Sequence, residues 1–131
     1  MPTELDRLAA EKYVVLTTFR RDGRAVPTPV WFARDGEELV VSSERKAGKV
    51  KRIRNSARVQ LQPSNFRGRT HGPTATGTAR LLDDAASERI RTAIARQYGL
   101  VGRVTMFFSR LRGGPQRTIG IAIRLEEKAA G

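Results

Sequence analysis

The sequence predicts a mainly β domain flanked by a few short helices, on three observations. Runs rich in β-branched and aromatic residues recur along the chain, among them YVVLTTF (Tyr13–Phe19), ELVVSS (Glu38–Ser43) and RTIGIAIRLE (Arg117–Glu126). Asp-Gly pairs at Asp22-Gly23 and Asp35-Gly36 fall between the first two of these runs, which is hairpin chemistry. The stretches that carry a helical period are short and separate. Together they give about six strands and three or four helices. At 131 residues there is room for one core, so a single domain over 1–131 is expected, with an N-terminal helix over 1–12 and a frayed tail over 127–131.

Thr3 with Asp6 forms a capping-box pattern, and Leu5, Leu8 and Ala9 follow at helical spacing. This first helix is expected to cover a barrel end or a partner subunit. Tyr13–Phe19, AVPTPVWFA (Ala25–Ala33) and Glu38–Ser43 then read as a three-strand meander. Pro27 and Pro29 cannot donate ladder hydrogen bonds, so their strand lies at an edge or a bulge. That irregular edge, with Thr28 on one side, suits a flat ligand, or the prolines simply block edge-to-edge pairing.

RKAGKVKRIRNSAR (Arg45–Arg58) comes next; seven of its fourteen residues are Lys or Arg and none is acidic. Val50, Ile53 and Ala57 recur at i, i+3 and i+7, so a short helix pins that face to the body. Lys49 and Arg54 flank the stripe, with Lys51, Arg52 and Arg58 further out. Ser42, Ser43 and Gly48 place hydroxyls and open backbone before the first turn. Free N–H groups and partial positive charge at a helix start suit an anion. The functional reading is a phosphate site centred on Lys49; the alternative is a solvated basic face.

ARVQLQP (Ala57–Pro63) reads as a strand, SNFRGRTHGP (Ser64–Pro73) as a polar loop, and TATGTARLL (Thr74–Leu82) as a strand with unlike faces. Gly77 and Gly120 read as packing glycines, Gly77 at a close approach of backbone or ligand. Asp83 or Asp84 caps a helix carrying Ile90, Ala93, Ile94 and Tyr98, closed by Gly99. Val101, Val104, Phe107, Phe108 and Leu111 suggest one more helix before Gly113-Gly114-Pro115. In the last strand Ile119, Ile121, Ile123 and Leu125 face the core, and Gly120, Ala122 and Arg124 face the other way.

The chemistry-bearing inventory is short. There is no cysteine, so disulfides and thiolate sites are excluded, and His71 is the one histidine, in an exposed loop. No Ser-His-Asp set, metal spacing, Walker sequence or dinucleotide fingerprint is present. An enzyme of this composition needs a bound cofactor to do its chemistry. The net charge of +12 favours a polyanion or a phosphorylated cofactor, although an Ala-, Gly- and Arg-rich chain is also what a high-GC coding bias produces. With no apolar run of membrane length and no leader pattern, a cytoplasmic location is expected.

YVVLTTFRRDGRAVPTPVWFARDGEELVVSS, followed by AGKVKRIRNSARVQLQP, resembles the split β-barrel flavin and deazaflavin oxidoreductases related to pyridoxamine 5′-phosphate oxidase. Within them it is most similar to the actinobacterial group that uses the deazaflavin coenzyme F420. The resemblance runs from Tyr13 to Leu82 and more loosely to Leu125. It implies a homodimer with the cofactor in an interface groove, its phosphate held by basic residues after the third strand. Lys49 matches the phosphate lysine; two residues earlier the family often has Arg, and Ala47 stands here, with Arg45, Lys46 or Lys51 nearby to substitute. Gly48, Ser42 and Ser43 fall beside the phosphate or ribityl chain. Thr28, Pro29, Val30 and Trp31 fall on the strand that contacts the ring, although Trp31 and Phe32 also suit a core or dimer interface. Tyr98 and Arg117 are the candidates for contacts from the second subunit.

The resemblance implies hydride transfer from reduced F420 to an unsaturated or carbonyl-type small molecule, with no catalytic side chain strictly required and Thr28 or Tyr98 available as a hydroxyl. FMN is the alternative cofactor. A non-catalytic cofactor carrier or polyanion-binding module is the rival of another class. Nucleic acid fits poorly, because Trp31, Phe32, Phe107 and Phe108 sit in apolar runs rather than in a stacking series. The substrate pocket is expected from Ser64–Pro73 and the stretch around Gly99–Arg103.

Overall fold

In the computed structural model, residues 3–65, 67–97, 99 and 118–126 are described. The expected helix around Val101–Leu111, its Gly-Gly-Pro stop, Tyr98, Arg117 and the tail 127–131 lie outside them. The described elements run α1 (Glu4–Ala9), β1 (Tyr13–Phe19), β2 (Ala25–Val30), β3 (Phe32–Asp35), β4 (Glu38–Glu44), α2 (Gly48–Asn55), β5 (Arg58–Ser64), β6 (Ala75–Leu81), α3 (Asp84–Gln97) and β7 (Thr118–Leu125).

All seven described strands join one antiparallel sheet in the order β2-β1-β5-β6-β7-β4-β3. Its opposite edges, β2 and β3, are consecutive in the chain and separated by Trp31 alone. One residue advances the chain by less than about 4 Å, so the sheet curls until its two edges meet at that corner. The protein is a mainly β, curled half-barrel of the split-barrel type.

This geometry corrects the meander reading. Ala25–Ala33 is not one strand: it breaks at Trp31, and its halves pair with β1 on one edge and β4 on the other. The expectation for the prolines holds, because β2 pairs with β1 only and the missing N–H donors leave no gap in an inner ladder. Both Asp-Gly turns form, with Gly23 and Gly36 at φ values of +89° and +61°, where a Cβ is disfavoured.

Leu16, Phe32, Leu39, Val41, Leu61, Ile121 and Ile123 fill the barrel interior. Leu5 and Leu8 of α1 join that core, and the Thr3–Asp6 capping box forms in both directions, so the first helix covers a barrel end. Outside the barrel, Ile90 and Ile94 of α3 pack on Ala33, Val40 and Ala122, with Trp31 against their margin. The second face of β7 is therefore covered by a helix, which explains its small residues. A Cβ at Gly120 would lie 3.2 Å from Ser87 Cα, and one at Gly77 would lie 2.8 Å from the Arg124 carbonyl oxygen. Both are packing glycines.

Asp83 caps α3, accepting from the Ala86 amide at 2.8 Å. In α2, Val50 and Ile53 are buried as expected, but the helix stops at Asn55; Ser56 is extended and Ala57 is exposed outside it. The i+7 position of the stripe is not helical, because the chain has already turned into β5.

Candidate functional site

The N-terminus of α2 is the centre of the site. Ala47 takes the extended N-cap conformation (φ −65°, ψ 148°), but its methyl group offers no hydrogen bond to the first turn. No acidic residue stands in that turn. The Ala47 amide donates to the Glu44 carbonyl and the Val50 amide to the Ala47 carbonyl, which leaves the Gly48 and Lys49 amides without an acceptor among the described residues.

Lys49 occupies the second helical position and is half-buried. Its ammonium pKa is held below the ordinary lysine value, first by desolvation and then by the Arg52 guanidinium; Glu44 opposes the shift. Lys49 thus behaves as a cation partly withdrawn from water beside a second cation.

Arg52 was expected further out and is instead half-buried. Long helical side chains lean toward the helix start, and its guanidinium folds back one turn over Gly48. Nε donates to Thr18 Oγ1 at 2.6 Å, and Thr18 is completely buried in β1. A Cβ at Gly48 would lie 2.7 Å from Arg52 Nη1. Glycine at this position is what lets the guanidinium lie flat on the helix start. A signal for Thr18 exists in the sequence, since it shares the period-2 face of Val14 and Leu16, a core face ending in a hydroxyl.

The other predicted phosphate-site residues are placed differently. Arg45 pairs with Asp84 at the start of α3. Lys46 and Lys51 are exposed. Ser43 is buried and its hydroxyl donates to the Glu44 carbonyl at 3.2 Å. Ser42 is half-buried on the alternate face of β4, so the two hydroxyls point to opposite sides of one strand. Arg58 lies outermost, its guanidinium 5.6 Å from the Phe19 ring centroid.

The predicted ring-contact segment lies beside this centre. Thr18, which holds Arg52, pairs with Val26, and Leu16 pairs with Thr28. At about 3.3 Å per residue, Thr28 is roughly 7 Å along the edge strand from the level of Arg52, and Val30, where the strand ends, roughly 13 Å. Thr28 is half-buried, Pro29 exposed, Val30 buried and Trp31 half-buried. The hairpin after β5 leans on this edge: a Cβ at Gly68 would be 3.5 Å from Pro29 Cγ. Asn65 shapes its tip by accepting from the Arg67 and Arg69 amides at 2.9 and 3.0 Å. An open cleft there is lined by Asn65, Arg67, Gly68, Arg69 and Thr70. His71 is exposed, 3.9 Å from Glu11. Among the described residues no cluster of acidic or histidine side chains is arranged to hold a metal, and no helix is long and apolar enough to cross a membrane.

Comparison with known proteins agrees with the architecture. Solved structures that the chain resembles include an F420 reductase, at 20% identity and a TM-score of 0.68 over 96% of each chain. HutZ, the heme storage protein of Vibrio cholerae, matches at 14% identity and a TM-score of 0.66, over 99% of this chain and 93% of that one. An FAD-binding protein of Mesorhizobium loti matches at 18% identity and a TM-score of 0.60, over 92% of this chain and 85% of that one. At these identities the likeness is one of fold. No curated protein matches the chain in sequence. The family model described as pyridoxamine 5′-phosphate oxidase matches residues 1–124, and the chain belongs to that family.

Proposed function

We propose that this protein is a homodimeric oxidoreductase that binds the deazaflavin coenzyme F420 and reduces a small unsaturated or carbonyl-type substrate. The observation that carries the reading is the start of α2, an uncapped helix end with Lys49 half-buried beside Arg52. The residues fit an anionic cofactor on physical grounds: open amides, two cations and no acidic residue in the first turn all favour a phosphate. Beside it runs an edge strand along which a flat ring system can lie, with a hairpin leaning on that strand.

When bound, the coenzyme supplies the hydride from its ring C5. The chain's own part is to hold and exclude. Lys49 anchors the phosphate, the Thr28–Trp31 backbone positions the ring, and the cleft around Asn65–Thr70 admits the substrate. The excess of basic residues, with a formal charge of +12, favours the longer and more acidic coenzyme over FMN. The fold is shared with an F420 reductase and with an FAD-binding protein, so it admits either class of cofactor and the choice rests on charge.

Fluorescence titration with oxidised F420 and, separately, with FMN tests the reading. Tight F420 binding, weakened about ten- to a hundredfold by Lys49→Ala, is the expected result. Preference for FMN moves the protein to the flavin branch of its family. Absence of micromolar binding of either overturns the proposal.

A further inference from the structure

We propose that Arg52, turned back over Gly48 and held by Thr18, is the second cation of a phosphoryl site whose first is Lys49. The inference deepens the cofactor reading and rests on it for the ligand's identity. It also answers a question the sequence leaves open. The position two residues before Lys49 holds Ala47, and none of the three neighbouring cations meets the need. Arg45 is engaged by Asp84 on α3, and Lys46 and Lys51 are exposed.

The geometry is specific. Thr18 Oγ1 takes Nε, the one hydrogen bond the Arg52 guanidinium makes among the described residues, and that bond sets its plane. Nη1 and Nη2 are left over the start of α2, toward the Gly48 position. Two parallel N–H groups of this kind match two oxygens of a phosphoryl group. Lys49 adds a point charge one residue further along the helix, and the uncapped turn adds amides.

A purely structural role fits less well. Satisfying a buried threonine hydroxyl requires only a neutral donor such as a glutamine amide. A guanidinium beside a partly desolvated lysine, at the helix end where the macrodipole disfavours cations, costs the empty protein stability. An anion that binds between the two cations offsets that cost.

The test uses inorganic phosphate as the probe and the full chain as the protein. Arg52 Nε–H and the Gly48 and Lys49 amides are followed by NMR as phosphate is added. Saturable shifts are expected in the wild type. Arg52→Lys keeps the charge but loses the fork. Gly48→Ala keeps both cations and drives a methyl group into Nη1, which a flexible side chain can yield to without unfolding. Each is expected to weaken phosphate binding by about tenfold. Thr18→Val, which frees the guanidinium to wander, is expected to do so by less. Thermal unfolding establishes that each variant is folded, and riboflavin serves as the phosphate-free control for FMN.

If the wild type shows no saturable shift, or if Arg52→Lys and Gly48→Ala bind phosphate as tightly as it does, the proposal is overturned. Equal losses for FMN and riboflavin in Arg52→Lys also overturn it, because the effect is then not on the phosphoryl group. If phosphate behaves as expected but neither F420 nor FMN binds, the cofactor reading fails while the phosphoryl site stands.

Discussion

The two short helices α1 and α2 begin in opposite ways. α1 closes its own N-terminus: Thr3 accepts from the Asp6 amide while the Asp6 carboxylate accepts from the Thr3 amide, both at 3.0 Å. Its first turn is acidic, as a helix start prefers, and Asp6 also pairs with Arg34 at 2.7 Å. α2 has alanine where the cap should be, no acid in its first turn, and two cations there instead. Both helices bury apolar residues into the same body, so packing does not explain the difference. One end is closed by its own side chains; at the other the Gly48 and Lys49 amides have no acceptor among the described residues, which is what the proposed phosphate site requires. A helix start with neither a side-chain cap nor an acidic first turn departs from local preference, and such departures are where function is expected.

The strongest way to break this contrast is to give α2 the cap it lacks. Ala47 already has N-cap backbone angles, so Ala47→Asp is predicted to place a carboxylate on the open amides, beside Lys49 and Arg52. Thermal unfolding should show a gain of roughly 0.5–2 kcal/mol, and F420 titration should show a loss of binding of about a hundredfold. Loss of stability together with intact binding contradicts the reading of α2 as an anion site.

Lys49→Met separates stability from binding in a second way. The folded-state pKa of Lys49 lies below its ordinary value near 10.5, so the native state releases that proton at a lower pH than the unfolded chain does. Stability from this group is therefore predicted to rise with pH between the lowered value and about 10.5. The Met variant should melt at a higher temperature near neutral pH and lose that part of the rise. Melting curves across alkaline pH check both points.

On the α1 side the expected effects are smaller and leave ligand binding alone. Thr3→Ala removes one half of the capping box and should cost about 1 kcal/mol, with F420 affinity unchanged. Smallest of all is the acid response. Backbone and side-chain hydrogen bonds from Thr3 and the Arg34 guanidinium lower the Asp6 carboxyl to about 2. The cap is fully present above the usual carboxylate range and is lost as pH falls through about 2. Protection of the Thr3 amide, which donates to the Asp6 carboxylate, should report it, and protection that is unchanged through that pH counts against the cap.

Much of the fold is legible in the chain because it rests on local chemistry. The Thr3–Asp6 box, the two Asp-Gly turns, the alternating faces of Ala75–Leu81 and the edge-seeking prolines each follow from neighbours within a few residues. Lys49 was legible as a candidate for the same reason: its basic, acid-free setting is local. The helical stripe failed at Ala57 because a three-residue recurrence cannot mark where a helix stops.

What only the tertiary structure decided is the choice of distant partners. Nothing within Ala25–Ala33 says that Val30 and Phe32 join opposite edges of one sheet. Barrel closure imposes that break, and the strands it brings together lie far apart in sequence. The same holds for Arg52, which by spacing belongs to a solvated face and is drawn in by a hydroxyl 34 residues away. Periodicity tells which face of an element is apolar. Which group on another element that face meets depends on closing long loops, and that information resides in the folded whole.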